Sequence, residues 1–276
     1  MERHPSSDGV ARLSGVVDAQ RYLRRIGIDD QTGAPSIELL TALQLAHLTT
    51  VPFENLHVFH RREPRTDVAW SYPKIVEERR GGWCFELNGA FGALLDRLGF
   101  AVDYVSSQVW DPPPIGWGPD FDHLALVVHV EGARWLVDVG FGDNCLHPLL
   151  IETGERDAVP KRTRLDVTDD VVEVTDLVPL ESGAIEWEKQ LRIALRPRSL
   201  DEFEPRSHHL RTAPDSTWWK KPFATRATDG AGGRVTLRSE TLRITPPGGS
   251  TEVRPVAADE WSDLLLEHFG LVDTGP

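Results

Sequence analysis

Arg80-Gly81-Gly82-Trp83-Cys84-Phe85-Glu86-Leu87-Asn88 sets one of the chain's two cysteines directly behind a diglycine and at the head of an amphipathic pattern. From Cys84 onward Leu87, Phe91, Leu94, Leu95 and Leu98 recur at helical spacing as far as Gly99, a residue suited to end a helix. Cys84 therefore falls in a first turn, where unpaired backbone N–H groups and the positive end of the macrodipole favour a thiolate over a thiol. The alternative is a buried structural cysteine, the common fate of a lone one.

Outward from this helix, the first hundred residues read as α-rich. Helices are expected over Asp18 to Ile26, Ser36 to Leu48 with Ser36 as N-cap, and Pro73 to Arg80. After Gly99 the texture changes to short runs of β-branched and aromatic residues broken by turn signals. Strands are expected over Val102 to Trp110, Leu124 to Val130, Arg134 to Val139, Arg164 to Val167, Val171 to Thr175 and Gln190 to Leu195, with Asp169-Asp170 turning one hairpin. The Pro/Gly-rich segment Asp111 to Asp120 reads as a long loop. A helical patch from Ser199 to Thr212, strands near Phe223 to Ala227, Arg234 to Leu237 and Thr241 to Ile244, and a helix from Asp259 to Phe269 make a third region. The expected class is α+β and multidomain: a helical domain over residues 1–99, a β-barrel over 100–198, and an interdomain helix with an α/β lid over 199–276.

With 276 residues, 40% of them hydrophobic and 26% charged, the chain has ordinary globular composition and room for roughly two domains. A net charge of −13 without a basic run argues against a nucleic-acid partner, since phosphate binding needs a Lys/Arg face. No stretch approaches the roughly 20 apolar residues that span a bilayer, and Met1-Glu2-Arg3-His4-Pro5-Ser6 leads into no apolar leader, so a cytoplasmic protein is expected. Two cysteines, Cys84 and Cys145, form no disulfide framework and no Cys-x-x-Cys pair, and no metal is expected. Cys145 reads as incidental to chemistry.

A cysteine nucleophile needs a histidine base, and the histidine needs an orienting acid or amide. Ten histidines compete. His123 and Asp138 stand out because one hairpin joins His123-Leu124-Ala125-Leu126-Val127-Val128-His129-Val130 to Ala133-Arg134-Trp135-Leu136-Val137-Asp138. If Glu131-Gly132 is a two-residue loop, Asp138 lies opposite Ala125 and His123 is its diagonal neighbour on the same face, about 7–8 Å away at Cα. A three-residue loop would put the two on opposite faces. An aspartate inside Trp135-Leu136-Val137-Asp138-Val139 also demands a partner, because an unpaired buried carboxylate is costly. A local cap beside Gly140 is the competing account. The other histidines, among them His47, His57, His60 and His129, show no such partner pattern and read as surface or packing residues.

Assembled, these residues resemble the arylamine N-acetyltransferase family. Val51-Pro52-Phe53-Glu54-Asn55-Leu56 is similar to its Pro-Phe-Glu-Asn element, and Arg80 to Glu86 is similar to its cysteine signature. Val137-Asp138-Val139-Gly140-Phe141-Gly142 is similar to its aspartate-glycine signature, and His123-Leu124-Ala125-Leu126 completes the set. The resemblance implies a cysteine-protease-like Cys-His-Asp core with Cys84 as nucleophile, His123 as base and Asp138 as orienting acid. It implies acetyl-coenzyme A as acyl donor and an arylamine or hydrazine as acceptor, acetylated through a Cys84 thioester by ping-pong transfer. Gly140 and Gly142 would let backbone approach coenzyme or acceptor, with Phe53 and Phe141 as apolar walls. Turn glycines and core phenylalanines are the plainer account of all four. Arg80 and Glu86 are expected to pair and buttress the loop before Cys84, while Trp83 and Phe85 are expected to pack.

The stretch Thr212-Ala213-Pro214-Asp215-Ser216-Thr217-Trp218 departs from the family at Ala213 and Trp218, and the indole of Trp218 is expected to narrow the cleft. That departure leaves open an amide synthase that releases or cyclises a polyketide chain from a carrier-protein thioester. Such an enzyme would show a wide cleft and no coenzyme affinity. A hydrolase of the cysteine-protease or transglutaminase type would lack the Pro-Phe-Glu-Asn and Gly-Phe-Gly elements. An idle binding module would bind ligand without a covalent Cys84 adduct.

Overall fold

Short polar side chains start the first two helices. Asp18 accepts from the Arg21 N–H at 3.1 Å and Ser36 from the Leu39 N–H at 3.2 Å, and each thereby satisfies a donor that helix geometry leaves orphaned. The computed structural model describes residues 16–29, 33–143, 145–179 and 184–275; Met1 to Ser6, read above for a leader, lie outside them. Among the described residues there are seven α-helices: α1 (Ala19–Arg25), α2 (Ile37–Thr50), α3 (Leu56–Phe59), α4 (Val68–Tyr72), α5 (Cys84–Arg97), α6 (Glu204–Thr212) and α7 (Trp261–Phe269). None is long and apolar enough to cross a membrane.

The helix expected over Pro73 to Arg80 is instead a π-turn, Pro73–Glu77, continuing α4. Pro73 has no N–H to return to the ladder, and the turn closes wide, with the Glu78 N–H donating to the Pro73 carbonyl at 3.0 Å. α4 itself is only five residues long and gave too little periodicity to read. α5 holds the centre of the helical part: every residue from Cys84 to Leu95 is buried. Its glycines and alanines let neighbours come close, and a Cβ on Gly92 would meet the Tyr104 ring at 2.6 Å.

The larger sheet has nine strands and curls into a half-barrel, giving the α+β architecture expected. Its main path runs Leu149–Leu150, Ala133–Val137, His123–Val130, Ala101–Asp111, Ile185–Arg198, Val171–Pro179, Arg162–Val167 and Gly154–Asp157. Within the expected long loop, Gly116–Trp117 folds back to pair with Trp110 and Asp111. The strand His123–Val130 is buried on both faces. Leu124, Leu126 and Val128 join the helical core around Phe85 and Phe91, while Ala125 and Val127 join Leu165, Leu191 and Ile193 inside the half-barrel. That two-sided burial explains why His123 to Val130 reads as a nearly continuous apolar run.

The hairpin register is the one that a two-residue loop dictates. Leu126 pairs with Val137 and Val130 with Ala133, and Glu131 and Gly132 both take positive φ, 53° and 76°. This is the primed turn whose twist suits a hairpin. The second strand ends at Val137 rather than Val139 because the next amides leave the ladder: Val139 N–H donates to Asn88 Oδ1 at 2.9 Å and Gly140 N–H to Asp138 Oδ1 at 2.8 Å.

The smaller sheet has five strands, Phe53–Glu54, Phe223–Ala227, Arg234–Arg238, Thr241–Thr245 and Glu252–Pro255, in that order. Its first strand comes from the helical part of the chain, so the C-terminal region docks by β-pairing onto the segment beside the diglycine. Asn55 fastens the junction. Its buried amide donates to the carbonyls of Trp218 and Lys221 at 2.7 and 2.9 Å and accepts from the Phe223 N–H at 2.8 Å. Asn55→Ala removes all three bonds and leaves their partners unpaired at the junction, which should cost about 2–4 kcal/mol. Urea unfolding at constant m-value measures it, and a loss below about 1 kcal/mol would show that the junction does not rest on this side chain.

Candidate active site

Asp138 is a carboxylate taken out of water, with 2% of its surface exposed. Its Oδ1 accepts from Asn88 Nδ2 at 2.8 Å and from the Gly140 N–H at 2.8 Å, and its Oδ2 meets His123 Nε2 at 2.7 Å. Because a carboxylate only accepts, the Nε2 proton is turned to Asp138, and Nδ1 is the nitrogen outside that bond. The Cys84 thiol lies within hydrogen-bonding reach of the same imidazole. Burial opposes a charge on His123, but the Asp138 carboxylate and the Cys84 contact outweigh it and hold the imidazole well above its ordinary pKa. The three residues that the resemblance joined thus stand in one line: thiol, imidazole, carboxylate.

Asn88 was not singled out in the sequence. It sits one helical turn after Cys84 on α5, fully buried, and its Nδ2 also donates to the Leu124 carbonyl at 2.6 Å while its Oδ1 takes the Val139 N–H. One amide therefore holds the Cys84 helix, the His123 strand and the Asp138 loop together. The available signal was an asparagine in the interior of a helix, where it is a poor helix former unless its side chain is used elsewhere.

The glycines permit close packing within the chain. A Cβ on Gly140 would come within 2.8 Å of both Cys84 Cα and Asn88 Nδ2, so this glycine exists to let the Asp138 loop lie against α5. Gly142 has φ 88°, and a Cβ there would stand 3.1 Å from the Phe53 ring. The diglycine is also a matter of close approach: a Cβ on Gly81 would meet the Pro52 carbonyl at 2.1 Å, and one on Gly82 the Glu86 carboxylate at 2.7 Å. Pro52 and Glu54 are then close enough to pair with this loop, Glu54 N–H donating to the Gly82 carbonyl at 2.9 Å.

The expected pair of Arg80 and Glu86 does not form. Arg80 donates to the Val272 carbonyl at 3.1 Å, while Glu86, in the first turn of α5, points beneath the helix to Lys74 at 2.8 and 2.9 Å and to Trp70 Nε1 at 2.9 Å. Glu86 also accepts from the Trp83 N–H at 3.3 Å, satisfying a first-turn donor just before Cys84. Glu54 lies 3.6 Å from the same ammonium, so one buried lysine serves two buried carboxylates. Burial, and after it the nearby Glu54, raise the Glu86 pKa, against the pull of Lys74.

Aromatic side chains gather beside this line. Phe141 presents an edge to the His123 ring at 5.3 Å. Trp218 packs in edge contacts against Phe53 at 6.0 Å and Trp83 at 5.7 Å, and Phe223, which sequence reasoning missed, lies 5.6 Å from Phe53. Trp83 and Phe85 are buried packing residues, as expected. Cys145 is buried, and that burial pushes its thiol up to about 11. Other histidines have partners that the sequence did not suggest: His60 meets Asp273 at 2.6 Å, His129 meets Asp103 at 2.8 Å, and buried His47 meets the Tyr22 hydroxyl at 3.0 Å.

A buried thiol, imidazole and carboxylate in line on an α+β scaffold define a cysteine-dependent acyl-transfer or hydrolytic class. A family model described as N-acetyltransferase matches residues 36–274. The chain is 32% identical to the arylamine N-acetyltransferase of Mycolicibacterium smegmatis over 92% of each, and 28% identical to human arylamine N-acetyltransferase 1 over 92% of this chain and 94% of that one. Among solved structures, the Nocardia farcinica arylamine N-acetyltransferase superposes with a TM-score of 0.84 at 29% identity, covering 97% of this chain and 94% of that one. The Mycobacterium marinum enzyme, solved in complex with CoA, gives 0.82 at 29% identity over 92% of each chain. The chain belongs to the arylamine N-acetyltransferase family.

Lys74→Met strands two buried carboxylates and should destabilise the protein by about 3–5 kcal/mol at neutral pH. Without the ammonium, Glu86 stands still further above its unfolded pKa, so folding takes up a proton. The deficit should therefore be smaller near pH 5 than near pH 8, and a deficit that grows on acidification would refute this reading of the cluster. Iodoacetamide should add one carbamidomethyl group to the native protein, at Cys84, and reach Cys145 only after unfolding. His123→Ala should slow the first addition at least tenfold; peptide mass mapping over time decides both points.

Proposed function

We propose that this protein moves an acetyl group from acetyl-coenzyme A to the amino group of an arylamine or hydrazine through a thioester on Cys84. The observation that carries this reading is the buried line from Cys84 through His123 to Asp138, in a chain of this family. Coenzyme A in the solved structure of the Mycobacterium marinum relative supports the choice of donor.

In the first half-reaction His123 Nδ1 takes the Cys84 thiol proton, and the sulfur attacks the acetyl carbonyl carbon. As the tetrahedral centre collapses, the bond to the coenzyme sulfur breaks and His123 returns its proton to that sulfur. Exchange of one thioester for another is nearly balanced, so positioning and an activated thiolate supply most of what is needed. In the second half-reaction the amine nitrogen attacks the Cys84 thioester, His123 accepts the amine proton, and the Cys84 sulfur leaves and is reprotonated. Asp138 keeps the imidazole in the required tautomer and stabilises the imidazolium in both halves. The N–H groups of Cys84 and Phe85 are engaged by no backbone carbonyl among the described residues. They are the donors for the oxyanion, worth on the order of 3 kcal/mol each in acyl transfer. Phe53, Phe141, Phe223 and Trp218 supply apolar walls for a flat acceptor, with Trp218 narrowing the space by its contacts with Phe53 and Trp83.

Incubation with acetyl-coenzyme A alone should raise the intact mass by one acetyl group on Cys84, and anisidine or isoniazid should remove it. Cys84→Ser should abolish turnover in a folded protein, and Asp138→Asn should lower it at least about 100-fold by favouring the wrong tautomer. Absence of an acetyl adduct on an alkylatable Cys84 would overturn the acetyltransferase and point to an acyl donor on a carrier protein.

A further inference from the structure

Behind the loop that leads into Cys84, α1 and the π-turn border an open hollow of about 460 Å³ lined by Arg21, Arg24, Arg25, Val76, Glu77 and Arg79. In a chain of net charge −13, four arginines around one hollow reverse the sign locally. Their charges are poorly answered. Arg21 has Asp18 and Glu77, each at 3.5 Å and solvent-exposed, an arrangement that contributes little. Arg24 and Arg79 have no carboxylate within ion-pair distance among the described residues. Arg25 is 94% buried, its relative exposure being 6%, and its donors all go to carbonyls: Ile75 at 2.8 Å, Arg79 at 3.2 Å, Arg80 at 3.4 Å and Thr50 at 3.5 Å. Those bonds engage four of its five N–H groups and leave its charge uncompensated.

The helix dipole explains arginines at positions 24 and 25, in the last turn of α1. It does not explain Arg79, which is held at φ 55°, a left-handed conformation unusual for a residue with a long side chain. Burial, and after it the like charge of Arg79, lower the Arg25 guanidinium to about 10. A negative charge in the hollow would relieve that repulsion.

We propose that this hollow is a binding site for a small polyanion carrying at least two phosphate groups. Its volume exceeds what a single phosphate fills, and its three unanswered guanidinium charges exceed what one phosphate neutralises. Arg21, Arg24 and Arg79 present planar donor forks suited to phosphate oxygens, and Arg25 supplies charge from beneath. None of these residues belongs to the Cys84 line, so the site is additional to the transfer chemistry. Through Arg25 the occupant acts on the carbonyls of Thr50, Arg79 and Arg80, which flank Pro52 and the diglycine, and stiffens the segment behind the nucleophile.

Inorganic pyrophosphate titrated calorimetrically into the full chain at low salt tests the proposal. The expected result is 1:1 binding that weakens with added salt, with orthophosphate at least tenfold weaker. The double variant Arg24→Gln, Arg79→Asn should bind pyrophosphate at least tenfold less tightly. Both positions are exposed, and asparagine tolerates the left-handed backbone, so an unchanged unfolding midpoint would confirm that the fold survives. A destabilised double variant is replaced by Arg24→Gln alone, for which a threefold loss is expected. No pyrophosphate binding, equal binding by the variant with the fold intact, or orthophosphate binding as tight as pyrophosphate would each overturn the proposal.

Discussion

A carboxylate buried between a helix and a sheet must be fully hydrogen-bonded or it unfolds what surrounds it. Asp138 meets that demand with donors from three separate parts of the chain: the Asn88 amide on α5, the Gly140 amide two residues on, and the His123 ring at the start of the neighbouring strand. The requirement fixes their relative positions more tightly than apolar packing, which tolerates shifts and repacking at modest cost. It also decides where the second strand of the hairpin stops, since the amides of Val139 and Gly140 are committed to this cluster instead of to the ladder.

α5 is pinned from two sides by that logic. Successive residues on a helix turn by about 100°, so Glu86 and Asn88 leave on nearly opposite faces. Asn88 reaches the sheet and the Asp138 loop, and Glu86 reaches Lys74 and Trp70 in the helical part. Cys84, the first residue of the helix, lies one turn before Asn88 on the same side, facing an imidazole whose own orientation Asp138 has already set. The glycines belong to the same construction. Gly140 brings the loop against Cys84, and Gly81 and Gly82 bring Pro52 and Glu86 against the approach to it.

The C-terminal region joins the site through backbone pairing and one amide side chain. Phe53–Glu54 forms the first strand of the smaller sheet, and Asn55 holds the carbonyls of Trp218 and Lys221. That places the Trp218 indole among Phe53, Trp83 and Phe223. The segment that leads into Cys84 thus has an aromatic side at Phe53 and a cationic side at Arg25 and Arg79, within a chain that is acidic as a whole.

The elements that read correctly in the sequence are those governed by neighbours in the chain. The start of α5, the Ser36 cap and the register of the hairpin all follow from local spacing, because the Glu131-Gly132 turn sets which side chains share a face. What failed was equally local in cause: α4 is too short to show a period, and a π-turn is invisible to a pattern that assumes regular helix. The diagonal His-Asp geometry occurs twice, at His123 with Asp138 and at His129 with Asp103. Counting across the Glu131-Gly132 turn finds the first pair; the second joins strands separated by the long segment after Asp111, whose register no short turn sets. Only the packing of α5 buries the first pair, sets a thiol beside it and supplies Asn88, while the second stays on the surface. Likewise the sequence determined that Glu86 belongs to the first turn of the Cys84 helix, but the tertiary structure decided that it meets Lys74 and not Arg80. A first-turn position is fixed by periodicity, whereas the partner across the interface depends on how helices separated in sequence are laid against each other, and no local pattern carries that.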